Sequence, residues 1–396
     1  MDNPIRKVRT AVVGCGMISR IYIRNLSRLF SVIELAALCD HKPETARALA
    51  DTFGIPSVMT LEEIRDSEDI ELVVCLTGPA AHYEVIRTML LAGKHVYTEK
   101  MFTTDLEQSR ELCRLAEEKG LYLGVAPDTV LGAGIQTARR MIDTGMIGDI
   151  TSAAVCINRD QALNAEIFRF LRGPGGSLPY DVGVYYIGAL IALLGSVTAV
   201  TAFGNPAPVH VPRFTYLNAG AAPWQIPGSN TLSAALRFAG GAVASVLFEG
   251  NSVSAEQHVF TVYGTRGILK IGDPNTFSGE TVLILPESEP VKVPFTHGYN
   301  GVNYLGKPAD FDHYGHRGIG VAEMAWALRK GRKNNRCSGA YGLHCQEVLQ
   351  GMDRSAETGK TVEILSRCEM EGLTPGYYSA MWNGGMRADA EMSLMD

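Results

Sequence analysis

Gly14, Gly16 and Ser19 form a Gly-x-Gly-x-x-Ser run, with Asp40 about twenty residues further on. These residue types at this spacing can hold a dinucleotide. Gly14 permits a tight turn, Gly16 lets a pyrophosphate approach the backbone, and Ser19 is small enough for a helix to pack closely on a strand. Met17 and Ile18 complete the turn, and the first N–H groups of the helix that follows carry partial positive charge toward a phosphate. Asp40 has the carboxylate that binds ribose hydroxyls and repels a 2′-phosphate. The expected cofactor is therefore NAD, with NADP left open because His41 and Lys42 follow at once.

The surrounding elements fit that use. VRTAVVG (8–14) is an apolar run of the kind a parallel strand covered on both faces requires, and a helix with apolar residues three and four apart follows it. IELAALCD (33–40), LVVCLTGP (72–79), KHVYTEK (94–100) and LYLGVAP (121–127) are further strands. Between them lie helices at 81–91 and from a Thr104–Glu107 capping box to Gly120. This βα alternation predicts an N-terminal Rossmann domain with a doubly wound parallel sheet, over residues 1–127. From about 150 the pattern becomes strand after strand, with AGG (239–241) as a hairpin link and helices at 320–331 and 341–358. Residues 128–396 are expected to form a C-terminal α+β domain with an open, largely antiparallel sheet for substrate binding and oligomerisation. The tail beyond about 368 reads as extended or as a partner-binding arm.

At this point the chain resembles the Gfo/Idh/MocA oxidoreductase family, over nearly its whole length. GCGMIS and LTGPAAHYEVIRTMLLAGKHVYTEK carry the resemblance most strongly; YGTRGIL, RGIGVAEMAWALRKGR and HCQEVLQGMDRSAETG follow in the family's order. The resemblance implies a nicotinamide-dependent enzyme that oxidises or reduces a secondary hydroxyl of a sugar, polyol or glycoside. It implies that Thr77, His82, Glu99 and Lys100 lie at the cofactor, and that Lys100 reaches the reacting hydroxyl. A lysine there can bind the substrate oxygen, and can relay a proton if its pKa is lowered. Asp181 matches the acid of a D-x-G-x-H segment, and Tyr185 stands where many members have His. A phenol ionises near pH 10, against about 6.5 for imidazole, so Tyr185 needs an ammonium such as Lys100 beside it to act as a base. A packed helix aromatic is the other reading of Tyr185. Met101 replaces the proline of the family's EKP, which leaves the loop geometry open.

Other residues are weaker candidates. His344 matches a histidine near the start of the penultimate helix and is a second candidate for the missing acid/base. Asp128 and Thr129 follow the last Rossmann strand, where an open α/β sheet binds ligands, or else cap the segment from Gly132. Asn158 and Arg159 are further candidate substrate contacts. His313 and His316 form an HxxH, but no cysteine or acid cluster completes a metal site, so none is expected.

Composition narrows the class. With 46% hydrophobic and 20% charged residues the chain is globular rather than disordered. A net charge of −6 without a long basic run argues against nucleic acid or anionic membrane as the main partner. The eight cysteines include no CxxC pair, and no signal-peptide pattern opens the chain, so a reduced, cytoplasmic protein is expected. The uncharged stretch 182–203 is read as a buried helix, a stop at Gly195 and a strand, not as a membrane span. An open sheet face predicts a homo-dimer or tetramer. Two alternatives to a dehydrogenase stay open: a glycosidase that oxidises its sugar transiently through NAD, and a non-catalytic dinucleotide-binding regulator.

Overall fold

The computed structural model describes residues 6–214, 218, 220, 222–255, 257–299, 317–373 and 375. His313, His316 and the tail from 376 lie outside the described residues. Among the described residues the first sheet has six parallel strands: β1 (Val8–Val13), β2 (Ile33–Cys39), β3 (Ser57–Val58), β4 (Leu72–Cys75), β5 (His95–Thr98) and β6 (Leu123–Val125). Their order is β3-β2-β1-β4-β5-β6, so the direction of winding reverses between β1 and β4. A ligand site opens at the carboxyl ends of the strands at such a reversal. The helices are α1 (Ser19–Arg28), α2 (Pro43–Phe53), α3 (Leu61–Asp66), α4 (Pro79–Leu91) and α5 (Leu106–Glu118). α2 and α3 were not expected from the sequence. α5 is capped by the Asp105 side chain, which accepts from the Gln108 N–H, rather than by Thr104.

The chain then passes through a 3-10 turn at Asp128–Leu131 into α6 (Ala133–Asp143), β7 (Ile150–Asn158), α7 (Gln161–Ile167), a π-turn at Pro179–Gly183 and α8 (Val184–Leu194). The strands that follow are β8 (Val197–Pro206), β9 (Ser229–Phe238), β10 (Val243–Glu249), β11 (His258–Gly264), β12 (Ile268–Ile271), β13 (Thr281–Ile284) and β14 (Val291–Val293). α9 (Ile319–Arg329), α10 (Gly339–Thr358) and β15 (Val362–Glu363) end the described part. Nine strands, in the order β14-β13-β12-β11-β7-β10-β9-β8-β15, make the second sheet among the described residues. It is mixed and mostly antiparallel, β7 with β10 being the parallel pair.

Burial explains the two textures. β1 and β4 are buried on both faces and read as unbroken apolar runs. β9 alternates: Leu232, Ala234, Leu236 and Phe238 point into the core, whereas Ser233, Ala235 and Arg237 face outward. α6, α8 and α10 cover the inner face. α10 also reaches back to the first sheet. The Val125 N–H donates to the Cys337 carbonyl, and Gly342 lies directly against the Val125 side chain.

Candidate active site

At the first switch-point turn, Gly14 adopts φ +101°. A Cβ there would lie 2.6 Å from the Leu76 carbonyl carbon, so both the backbone and the space require glycine. Gly16 is different: a Cβ would meet nothing within 4 Å. The space beside Gly16, the start of α1 without a side-chain cap, and half-exposed Met17 and Ile18 together form a cradle open to a pyrophosphate. Asp40 stands beside it at the end of β2. Its Oδ2 accepts from the Cys15 N–H at 2.7 Å and its Oδ1 from the Lys42 N–H at 2.9 Å. His41 Nδ1 also lies 2.9 Å from Oδ1, so of the carboxylate's roughly four acceptor positions about one is left for a ribose hydroxyl. These residues fit a dinucleotide. Thr77 faces the turn from the end of β4, its N–H close to Gly14.

His82, expected at the cofactor edge, is instead fully buried. Its Nε2 lies 2.9 Å from the Thr77 carbonyl and its Nδ1 2.6 Å from the Met101 carbonyl, so it braces two loops. Burial pushes its pKa down. Glu99 is fixed by the Tyr22 hydroxyl at 2.8 Å and by the Lys100 N–H at 2.9 Å. The Lys100–Met101 peptide is cis although no proline is present.

Lys100 crosses to the second unit. Its Nζ donates to the Asp181 carbonyl at 2.7 Å and to Asp181 Oδ1 at 2.9 Å. The other oxygen of Asp181 accepts from Gln161 Nε2 at 3.1 Å and lies 3.6 Å from Arg159 Nη1. The Tyr185 ring sits 5.5 Å from the Lys100 ammonium. Lys100, Asp181, Tyr185 and Arg159, brought together here, were all expected from the sequence. Their charge states differ from expectation. Burial alone would lower the Lys100 pKa, but the Asp181 carboxylate outweighs it and the ammonium is held well above its ordinary value. Asp181 is correspondingly lowered against its own burial. Tyr185 is raised by burial, with Arg317 and then Lys100 opposing. Lys100 is thus a fixed cation rather than a lowered-pKa relay, and Tyr185 is a neutral phenol in the free protein.

Four expectations need correction. His344 is fully buried in α10, accepting at Nε2 from the Val197 N–H at 2.9 Å, with Nδ1 2.8 Å from the Ser366 hydroxyl. Both ring nitrogens are engaged away from Lys100. Asp128 is buried, and its Oδ2 accepts from the Gly318 and Gly320 N–H groups at 3.0 Å each. It caps the start of α9, not the segment from Gly132 and not a substrate. Thr129 is fully buried beside it. Asn158 spends its amide on the 252–257 loop, donating to Ser252 and accepting from the Gln257 N–H.

The sequence reading missed Gln161, Tyr22, Asn275 and Arg317. Gln161 opens α7 just after its cap Asp160, a signal that marks the helix start but not what Gln161 touches. Arg317 Nη2 donates to the Tyr185 hydroxyl at 3.2 Å and to Asn275 Oδ1 at 3.0 Å.

Comparison with known proteins agrees with this geometry. Residues 8–126 match the family model for the oxidoreductase family with an NAD-binding Rossmann fold, and residues 135–270 match the GFO/IDH/MocA C-terminal domain. A scyllo-inositol 2-dehydrogenase (NADP(+)) of Bacillus subtilis is 28% identical over 195 residues, covering 49% of this chain and 54% of the relative. A dTDP-3,4-didehydro-2,6-dideoxy-alpha-D-glucose 3-reductase of Actinomadura kijaniata is 30% identical over 200 residues, covering 50% and 59%. The chain thus matches little more than half the length of these curated relatives. A levoglucosan dehydrogenase solved with NADH superposes with a TM-score of 0.76 at 19% identity, covering 91% of this chain and all of that one. With both domains matched and the dinucleotide cradle in place, the chain belongs to the Gfo/Idh/MocA oxidoreductase family and carries its NAD-binding Rossmann domain.

Proposed function

We propose that the protein transfers a hydride between NAD(P) and a secondary carbinol of a sugar, polyol or glycoside. The observation that carries this is the Lys100 ammonium, held by Asp181 across the cleft beside the Tyr185 phenol. Bound nicotinamide supplies or accepts the hydride. Gly14, Gly16, Met17, Ile18, Asp40, Thr77, Glu99 and Lys100 hold it, with Asp40 favouring NAD.

The protein's own residues handle the oxygen and the proton. Lys100 has three donor hydrogens and Asp181 engages two, so the third is free for the substrate oxygen. A positive charge there stabilises alkoxide character as it develops. Tyr185, protonated in the free protein, gives its proton to the carbonyl oxygen as the ketone is reduced. Its phenolate takes the proton back in oxidation. Arg159, whose Nη1 lies 3.6 Å from Asp181 Oδ2, is assigned to the substrate hydroxyls. Bearing names that describe sugar and inositol chemistry, the dehydrogenase and reductase relatives support a carbinol substrate.

The test is a panel of scyllo-inositol, myo-inositol and levoglucosan with NAD+ and with NADP+, read as reduced nicotinamide. One of them should turn over, and Lys100→Met should lower kcat/KM by roughly 10²- to 10⁴-fold. Full activity in Lys100→Met overturns the reading. Hydrolysis of a glycoside without net NADH would identify the redox-neutral glycosidase instead.

The outward face of the second sheet carries Phe203, Ala235, Val243 and Val259, exposed and uncharged. We infer that it packs against a second copy of the chain. Light scattering on the purified protein should give a dimer or tetramer; a monomer at micromolar concentration removes the inference. Eight free thiols fit a reducing, cytoplasmic setting. No helix among the described residues is long and apolar enough to cross a membrane.

A further inference from the structure

The Tyr185 phenol has a neighbour that no sequence motif singles out. Arg317 lies just before α9, with its side chain 13% exposed. Its Nη2 carries two hydrogens. One goes to the Tyr185 oxygen at 3.2 Å and the other to Asn275 Oδ1 at 3.0 Å, so the nitrogen is fixed by a loop of the second sheet while it holds the phenol. The backbone carbonyl of Arg317 accepts from Asn25 Nδ2 in α1 at 2.8 Å. Nη1 lies 3.9 Å from the buried Asp128 carboxylate, and the guanidinium lies over the Phe277 ring at 5.5 Å. The Arg317 side chain thus ties the chain crossing at Asp128 and the 272–280 loop to a single phenol oxygen, while its backbone carbonyl anchors the residue to α1.

A guanidinium can only donate and does not deprotonate in proteins. The Tyr185 oxygen therefore accepts from Arg317, and its own hydrogen must point elsewhere. Among the described residues no acceptor for that hydrogen lies within hydrogen-bond distance.

We propose that Arg317 is the positioning residue for Tyr185, orienting the phenol hydrogen into the cleft and stabilising the phenolate formed when it leaves. This rests on the reading of Tyr185 as proton donor. In reduction, the Tyr185 O–H bond breaks and a new O–H bond forms on the substrate oxygen, while the hydride from the reduced nicotinamide goes to carbon. The phenolate left behind accepts the Arg317 hydrogen bond more strongly than the phenol did, and water re-protonates it after release. The charged groups facing Tyr185 are the Lys100 ammonium, the Arg317 guanidinium, and the Glu99 and Asp181 carboxylates, so the two cations act against two anions and burial. Of the cations, Arg317 acts more strongly, and it alone touches the oxygen. This arrangement answers how a phenol can do the work of imidazole: a cation of invariant charge lowers the cost of the ionised form.

The test uses the full-length protein with 3,5-difluorotyrosine incorporated at position 185 and follows its fluorine resonance against pH, without substrate. Arg317→Gln should raise the ionisation midpoint by about one pH unit or more, the effect of removing a cation at this distance. Arg317→Lys should raise it less, since an ammonium keeps the charge but lacks the planar fork that spans Tyr185 and Asn275. A midpoint unmoved in folded Arg317→Gln overturns the proposal. If that variant does not fold, an unmoved midpoint in Arg317→Lys does so. The Tyr185 reading fails separately: Tyr185→Phe with full turnover removes the phenol from the chemistry, whatever the fluorine midpoint shows. An inactive Tyr185→Phe with an unmoved midpoint removes only the role of Arg317.

Discussion

Gly14 and Gly16 look alike in the sequence and differ in what the structure asks of them. Gly14 is required by the fold, through its positive φ and the Leu76 backbone against it. Gly16 has open space where a side chain would go, so the fold does not require glycine there, and the proposed function gives that space to the pyrophosphate. Gly16→Ala should leave the unfolding free energy within about 0.5 kcal/mol of wild type but weaken NADH binding at least tenfold by calorimetry. Gly14→Ala should lose both. Equal NADH affinity in Gly16→Ala would mean that the pyrophosphate does not lie there. The motif-borne residues were legible because each lies in a short signature: Gly14, Gly16, Asp40, Lys100 and Asp181. Arg317 was not. Its partner Tyr185 is 132 positions away, and nothing in the sequence separates it from the other members of a set of 36 lysines and arginines. His344 misled for the opposite reason. A histidine at a matching position carries no record of whether its nitrogens face a cleft or, as here, a buried N–H and a hydroxyl.

At the scale of elements, α8 and the π-turn before it decide whether the site exists. Asp181 lies in the turn and Tyr185 in the first turn of the helix, and Gly183 between them sits against the Phe248 ring of β10. A Cβ at Gly183 would come within 2.8 Å of that fully buried ring. Replacing glycine by alanine inside a helix normally gains up to about 1 kcal/mol. Here overpacking, typically about 1–3 kcal/mol, opposes that gain and exceeds it. Gly183→Ala should therefore lower Tm and reduce kcat together, because lifting α8 off β10 carries Asp181 and Tyr185 with it. A more stable, fully active variant would show that the core yields freely there. Elements with strong periodicity were read from the sequence close to their observed ends. α2 and α3 were passed over although Pro43 opens one and a Thr60–Glu63 capping box opens the other. β14 and β15 are too short for any period to register.

At the scale of the molecule, His82, His95, His297 and His344 are all held neutral by burial. For His344 the pKa falls from 6.5 to about 4. A group depressed in this way contributes stability above its unfolded value, and that contribution is lost as pH falls toward the folded one. Protonating Nε2 would aim a new N–H at the Val197 N–H. Urea unfolding at pH 7 and at pH 4.5 should show wild type losing about 2 kcal/mol more than His344→Gln, since the amide can keep both hydrogen bonds without titrating. Equal losses would mean that His344 is not the titrating group. The two-sheet plan was legible throughout, but the way its ends meet was not. β6, the last strand of the first sheet, pairs on its free side with the segment at 337–338, and Gln346 and Glu347 of α10 bond to Ser109 and Arg110 of α5. The consequence concerns time rather than contacts. As the chain leaves the ribosome, the dinucleotide-binding unit is synthesised first, yet its edge strand stays open until more than two hundred further residues have emerged. An unpaired strand edge is a template for pairing with another chain. The first third of the protein therefore waits for the last, and in that interval the nascent chain is most exposed to aggregation.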